Sequence, residues 1–239
     1  MNINTFRFTV YILWLLLAGF LLSVVQPDVL IAEEGDAGSA SAVFLKLDPS
    51  ARSAAYGSAY TARTSDPLAT HFNPAGLSAL NSTESMITHV NLMADVKYNH
   101  VSMATPFRES TWGGIGISAT AVDYGELDER TINPRLNPSS SLGEFGASDL
   151  SLSGSYGWPI NRYIRAGFTL KYIRQDIDDY DATTFSGDIG FKVHPPVEGL
   201  VIGGSVRNLA GDIKFIQEAD PLPQTYRAGI YYYDDVRWG

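Results

Sequence analysis

Cysteine is absent from the 239 residues. That one gap removes thiolate nucleophiles, cysteine-type zinc sites, disulfides and a lipidated amino-terminal cysteine. Clusters of lysine and arginine are missing too, and the formal charge is −9. A phosphate-backbone binder needs concentrated positive charge, so nucleic acid is not expected as a partner. After Ala32 no apolar stretch approaches the roughly eighteen residues that mark a spanning helix, so any membrane crossing by that part of the chain must be made by strands. The four histidines (His71, His89, His100, His194) include no pair at metal-ligand spacing on one helix face, and they read as solvent or lumen residues.

What is present begins with an export signal. Arg7 precedes an apolar run from Tyr11 to Val25, Pro27 breaks it, and Ala32 offers a small residue for cleavage. The run is about five residues short of a spanning helix, which favours a cleaved signal over residues 1–32 against an uncleaved anchor. Removing that segment takes away Arg7 and Asp28 together, so the mature chain keeps its charge of −9.

From about Ser85 the hydropathy alternates with period two. Ile164, Ala166, Phe168, Leu170 and Tyr172 oppose Arg165, Gly167, Thr169 and Lys171; Phe185, Gly187, Ile189, Phe191 and Val193 oppose Ser186, Asp188, Gly190 and Lys192. About eight strands are expected, near 86–93, 97–105, 112–122, 148–158, 163–174, 184–194, 199–207 and 225–233. A soluble sandwich would turn the charged face to water, whereas an outer-membrane barrel turns the apolar face to lipid and lets the charges pair in a polar lumen. Strand length, aromatics near strand ends (Trp158, Tyr172, Tyr226, Tyr232) and the export signal favour the barrel. Leu152, Tyr156, Phe168, Leu170, Ile189 and Phe191 should then face outward, and Arg165, Lys171, Asp188 and Lys192 inward. On this reading Leu170→Arg is costly and Thr169→Arg is not. Short connections (159–161, 195–198) should alternate with long ones (123–147, 175–184, 208–224).

Before the strands lies Phe44 to Leu77, FLKLDPSARSAAYGSAYTARTSDPLATHFNPAGL, which lacks period-two alternation. Asp66-Pro67 starts a helix, with Asp capping free N–H groups and Pro at the first helical position. Asn73-Pro74 stops it, and Gly76 is expected at positive φ in the turn that follows. The ordered set Phe44-Leu45, Ala51-Arg52, Gly57-Ser58-Ala59-Tyr60, Asp66 and Asn73-Pro74-Ala75-Gly76-Leu77 resembles the amino-terminal signature of the PorV/PorQ family of outer-membrane proteins. That family is similar to FadL-type fatty-acid transporters, with which the Asn-Pro-Ala-Gly corner is shared. The resemblance implies an all-β, antiparallel FadL-like barrel whose residues 33–80 form a short helical plug at the periplasmic end and whose strands occupy 81–239. The plug motif is Arg52, Gly57, Asp66, Asn73, Pro74, Ala75 and Gly76. The implied function is non-enzymatic: handling of exported cargo in type IX secretion at the outer membrane, with lipid, cargo proteins and secretion components as partners and no cofactor. The alternative is a FadL-type transporter of hydrophobic small molecules, which an apolar pocket beside the Asn-Pro-Ala-Gly corner would support.

The resemblance also implies about fourteen strands, more than the eight counted here, so the carboxyl-terminal part of the barrel is expected to lie beyond Gly239. A closed eight-stranded barrel has room only for its own side chains and could not house a plug. The expectation is an open, curled sheet with strand 225–233 at an edge.

Other candidate chemistry is weaker. Asp176, Asp178, Asp179 and Asp181 could hold calcium or could simply solvate a loop; the Gly and closing Glu of an EF-hand are absent. Ser151 to Ser155 lacks the strand-turn-helix elbow of a hydrolase nucleophile. Gly113-Gly114-Ile115-Gly116 lies in a strand without a following helix, so these glycines serve curvature or close packing of the plug. Asn133-Pro134 and Asn137 to Ser141 mark a turn-rich loop, either mobile or contacting a partner.

Overall fold

A computed structural model describes residues 41–107, 112–129, 143–214 and 219–233. The expected signal segment 1–32, the turn-rich loop at 133–141 and the charged end at 234–239 lie outside the described residues.

The alternating segments form an eight-stranded antiparallel sheet in the order β1-β2-β3-β4-β5-β6-β7-β10. The strands are β1 Glu84–Asn91, β2 Lys97–Pro106, β3 Gly114–Glu129, β4 Gly143–Pro159, β5 Ile164–Ile177, β6 Tyr180–Val193, β7 Leu200–Leu209 and β10 Thr225–Tyr232. A small separate hairpin pairs β8 Asp212–Lys214 with β9 Ala219–Pro221, within a stretch expected to be only a long connection. The sheet curls into an open half-barrel, mostly antiparallel and with little helix. Among the described residues β1 pairs with β2 and β10 with β7, and no ladder joins β1 to β10, in line with the expected open edge.

Two rims follow from the antiparallel order. The connections at 107–113, 160–163 and 194–199 lie at one, here the glycine rim; those at 92–96, 178–179 and 210–224 lie at the other, here the hairpin rim. The expected alternation of short and long connections holds at 210–224 but fails between β5 and β6 on the hairpin rim. Ile177 pairs with Tyr180, so the supposed acidic loop 175–184 is a two-residue turn, with Asp178 in the left-handed region at φ 54. Asp176 and Asp181 are cross-strand partners, and Asp176 accepts hydrogen bonds from Arg174 at 2.6 and 3.0 Å. Alternation simply continues through these aspartates, because polar residues at a strand end need only water on the outer face.

The two faces separate as expected. Leu152, Phe168, Leu170, Ile189 and Phe191 are exposed on the convex face. Tyr156 lies on that face too, half covered by Trp158 and Phe168 at ring separations of 5.6 and 6.2 Å. Lys171, Asp188 and Lys192 are buried on the concave face, and Arg165 is half-buried. The apolar clusters all involve the segment 42–80 or the concave face: Phe44 and Leu45 with Tyr98, Val122, Ile173, Ile213 and Leu222; Ala69, Leu77 and Leu80 with Ala104; and Tyr60 with Leu68 and Phe72. The large apolar side chains of the convex face have no such partner among the described residues.

Candidate functional site

The insert at 41–80 fills the concave face, and its own chemistry shapes it first. Val43–Lys46 is a 3-10 turn and Ala51–Ala55 a short helix whose cap is Ser50, the hydroxyl accepting from Arg52 N at 3.1 Å. The Asp48 carboxylate gathers Ser50 N at 3.1 Å and the hydroxyls of Ser53 and Ser58, the latter at 2.6 Å. Gly57 and Ser58 both stand at φ 60, a reversal that a Cβ-free residue enters at least cost.

Asp66 is the second centre. Its Oδ1 accepts from Leu68 N at 3.1 Å, while Oδ2 accepts from the buried Tyr60 hydroxyl at 2.6 Å and from Arg52 Nη1 at 3.0 Å. Arg63 donates to the same phenol oxygen at 2.7 Å. Burial, followed by the bond to the Asp66 carboxylate, pushes the Tyr60 phenol up to about 12, so the phenol stays a donor at neutral pH. Asp66 thus caps the turn as expected, although the regular helix is only Ala69–Phe72.

Asn73 ends that helix in extended backbone and starts the next element, the 3-10 helix Pro74–Ala79. Its Oδ1 accepts from Ala75 N at 3.2 Å; its Nδ2 donates to Thr61 O at 2.9 Å and to Phe191 O of β6 at 3.0 Å. One buried amide therefore ties the corner to the insert and to the sheet. Gly76 is not at positive φ, contrary to expectation; it lies within the 3-10 helix. Its lack of a side chain serves packing, since a Cβ there would stand 2.5 Å from Thr64 Oγ1.

The corner sits in a trench made by sheet register. Gly114 pairs with Gly157, Gly157 with Gly167 and Gly167 with Gly190, a row of four glycines across β3, β4, β5 and β6. A Cβ at Gly114 would lie 2.2 Å from Leu77 O, at Gly157 2.3 Å from Pro74 O, at Gly167 2.4 Å from Pro74 C, and at Gly190 2.1 Å from Asn73 Oδ1. At the first three of these main chain packs against main chain, and at Gly190 the Asn73 amide takes the space, a closeness that only glycine permits. The row continues to Ser205, the partner of Gly190, whose hydroxyl donates to Phe72 O at 2.8 Å.

The insert also spans the sheet from rim to rim, where the resemblance implied a plug at one end. Ser41 N donates to Pro221 O of β9 at 3.1 Å and Ala42 N to Gln175 Oε1 at 3.1 Å, both at the hairpin rim. Pro74–Ala79 lies at the glycine rim. Between them the lumen cations do not all pair with anions. Lys171 meets Asp188 at 2.8 Å, but Lys192 donates to Thr64 O at 2.5 Å and Arg207 to Leu45 O at 3.1 Å. These cations serve the insert's bare carbonyls, leaving fewer buried acceptors without a donor.

Of the motif residues, Arg52 and Asp66 meet each other and Asn73 to Gly76 line the trench, while Gly57 stands apart in its reversal. Sequence reasoning had Tyr60 in the motif and Lys192 among the inward charges, but the partners of Tyr60, Lys192 and Arg207, the bond from Ser205 and the alignment of the glycines were not foreseen. Inward parity of Gly157, Gly167 and Gly190 was available from the alternation, but their register was not. For catalysis the arrangement offers little: His100 Nδ1 meets Thr120 Oγ1 at 2.9 Å and His71 Nδ1 meets Arg207 at 3.4 Å, with no carboxylate bonded to either ring among the described residues. No protein-family model matches the chain, and no curated protein matches it.

Proposed function

We propose that the chain is a non-enzymatic outer-membrane β-barrel protein of the PorV/PorQ type, which receives exported cargo in type IX secretion and passes it to the cell surface. One observation carries the reading: the sheet is inside-out for a water-soluble protein, with an exposed aliphatic and aromatic convex face and buried charges and a packed insert on the concave one. On β5 the outward apolar positions run from Ile164 to Tyr172, nine residues, which suits the about 9–11 of a tilted membrane strand. Beyond them, register aligns Lys97, Asp123, Ser148, Asp176 and Asp181 across five strands, a polar border of the kind expected where a lipid face ends. The insert motif supports the family assignment, and the trench gives its Asn-Pro-Ala-Gly corner a physical role.

The test has two stages. Expressed with residues 1–32, the protein should fractionate with outer membranes, and Leu170→Arg should cost about 2–4 kcal/mol of stability in lipid; a soluble periplasmic product would sink the membrane reading. Deleting the gene should then leave cargo in the periplasm, and unchanged secretion would sink the secretion role alone. A FadL-type transport role would instead show as co-purified lipid. The cavity described next is polar, so it lends that alternative no support.

A further inference from the structure

Between the insert and the middle of the sheet lies a small cavity of about 20 Å³, lined by Phe44, Leu45, Thr70, His71, Tyr98, Ser118, Thr120, Ser151, Ser153, Lys171 and Arg207. It has room for a single water-sized guest. Its lining contains two cations and six hydroxyl-bearing side chains but no carboxylate. We propose that this cavity is a binding site for one small monovalent anion of halide size, held by Arg207, Lys171 and the surrounding hydroxyls.

The charge count is the first support. Lys171 and Arg207 are both about nine-tenths buried or more, and Asp188 is the single carboxylate in ion-pair contact with either among the described residues. Asp188 also accepts from Asn208 N at 2.8 Å, so it is shared between Lys171 and a backbone donor. Arg207 has only neutral partners, Leu45 O at 3.1 Å and His71 Nδ1 at 3.4 Å. Asp188 and Asp48 act on Arg207 only from beyond contact distance, so the buried guanidinium touches no anion, and one beside it would offset the cost of its burial. The second support is independent of the count. Arg207 Nε is buried with no hydrogen-bond partner among the described residues, and Arg207 lines the cavity. The carboxylates that act on Arg207 are otherwise engaged: Asp188 by Lys171 and Asn208 N, and Asp48 by Ser50 N at 3.1 Å and by the Ser53 and Ser58 hydroxyls. A water in the same place would satisfy a donor and leave the positive charge as it was.

The site lies on the concave side of the sheet and does not depend on which cargo the barrel serves. The experiment uses the full chain in detergent, with thermal unfolding followed in sodium chloride, bromide, gluconate and sulfate at matched ionic strength. Chloride and bromide should raise the midpoint saturably, by about 3 °C or more over gluconate, and crystals in bromide should show one anomalous peak among Arg207, Lys171 and Ser153. Ser153→Asp places a carboxylate on the cross-strand partner of Lys171; it should abolish the halide response while keeping the midpoint of the halide-bound parent. If that variant does not fold, Arg207→Gln serves, with at least a tenfold higher half-saturating chloride. Equal midpoints in all four salts, a bromide-free cavity, or an undiminished halide response in Arg207→Gln would each overturn the proposal.

Discussion

At the glycine rim the insert presses main chain on main chain, with the Pro74 and Leu77 carbonyls lying over three of the four aligned glycines and the Asn73 amide over the fourth. At the hairpin rim it is held by side chains, Phe44 and Leu45 among Tyr98, Val122, Ile173, Ile213 and Leu222. The first contact has no slack, because backbone cannot change rotamer; the second can repack. The comparison teaches that one segment is positioned by shape at one end and by hydrophobic burial at the other. Position should therefore be lost at the first end and stability at the second.

The sharpest way to break that contrast is Gly167→Val. With its Cβ 2.4 Å from Pro74 C and 2.5 Å from Ala75 N, the corner cannot stay seated, and limited proteolysis should cut within 60–80 while the sheet stays protected. An uncut corner would mean that the trench is wider than described. Gly154, with nothing within 4 Å of its Cβ position, is the control, and Gly154→Ala should leave the digestion pattern unchanged. At the other rim Phe44→Ala should cost about 3–4 kcal/mol, read from the denaturant midpoint, and leave residues 60–80 protected. If it also exposes the corner, the two ends are coupled.

Asn73→Ala should cost about 2 kcal/mol, because Thr61 O and Phe191 O lose their donor and the cap is lost as well. Asn73→Asp tests the same point, since a carboxylate can cap Ala75 N but cannot donate to either carbonyl. A variant as stable as the parent would show that those two bonds contribute nothing.

The smallest effect is pH-dependent. Burial, then the Arg207 and Lys171 charges, hold His71 well below its ordinary range. Its proton affinity is thus lower folded than unfolded, so its contribution is present above about pH 6.5 and is lost as pH falls below that value, by at most about 1.4 kcal/mol per pH unit. His71→Gln should flatten the slope of stability between pH 7 and 5. A slope equal to the parent's would assign the dependence to other groups.

Much of the sheet was legible in the sequence because period two reports directly on which face a side chain takes. The inward positions of Lys171, Asp188 and Lys192 and the outward ones of Phe168 and Leu170 follow from it. Packing was not legible. Thr169 was read as a tolerant lumen position, yet it is 1% exposed and bonded to Ser155 Oγ at 2.8 Å, so Thr169→Arg would overfill the interior. The motif residues were found as a linear pattern, but the partners that seat the corner come from β3, β4, β5 and β6, with Phe191 lying 118 residues from Asn73. Register, which turned separate glycines into a trench, depends on pairings that no single strand encodes. The two-residue turn at Asp178 was missed because four aspartates look like a loop until their neighbours are seen to pair.

That separation along the chain has a kinetic consequence. The hairpins of the sheet join near neighbours, but Asn73 reaches Phe191 across 118 residues, Lys192 reaches Thr64 across 128 and Arg207 reaches Leu45 across 162. Contacts of such high order form slowly, since the loop entropy comes before the reward. The insert, made before any strand of the sheet, is accordingly the last to lock, and until β6 and β7 are in place Phe44, Leu45, Leu68 and Phe72 remain uncovered.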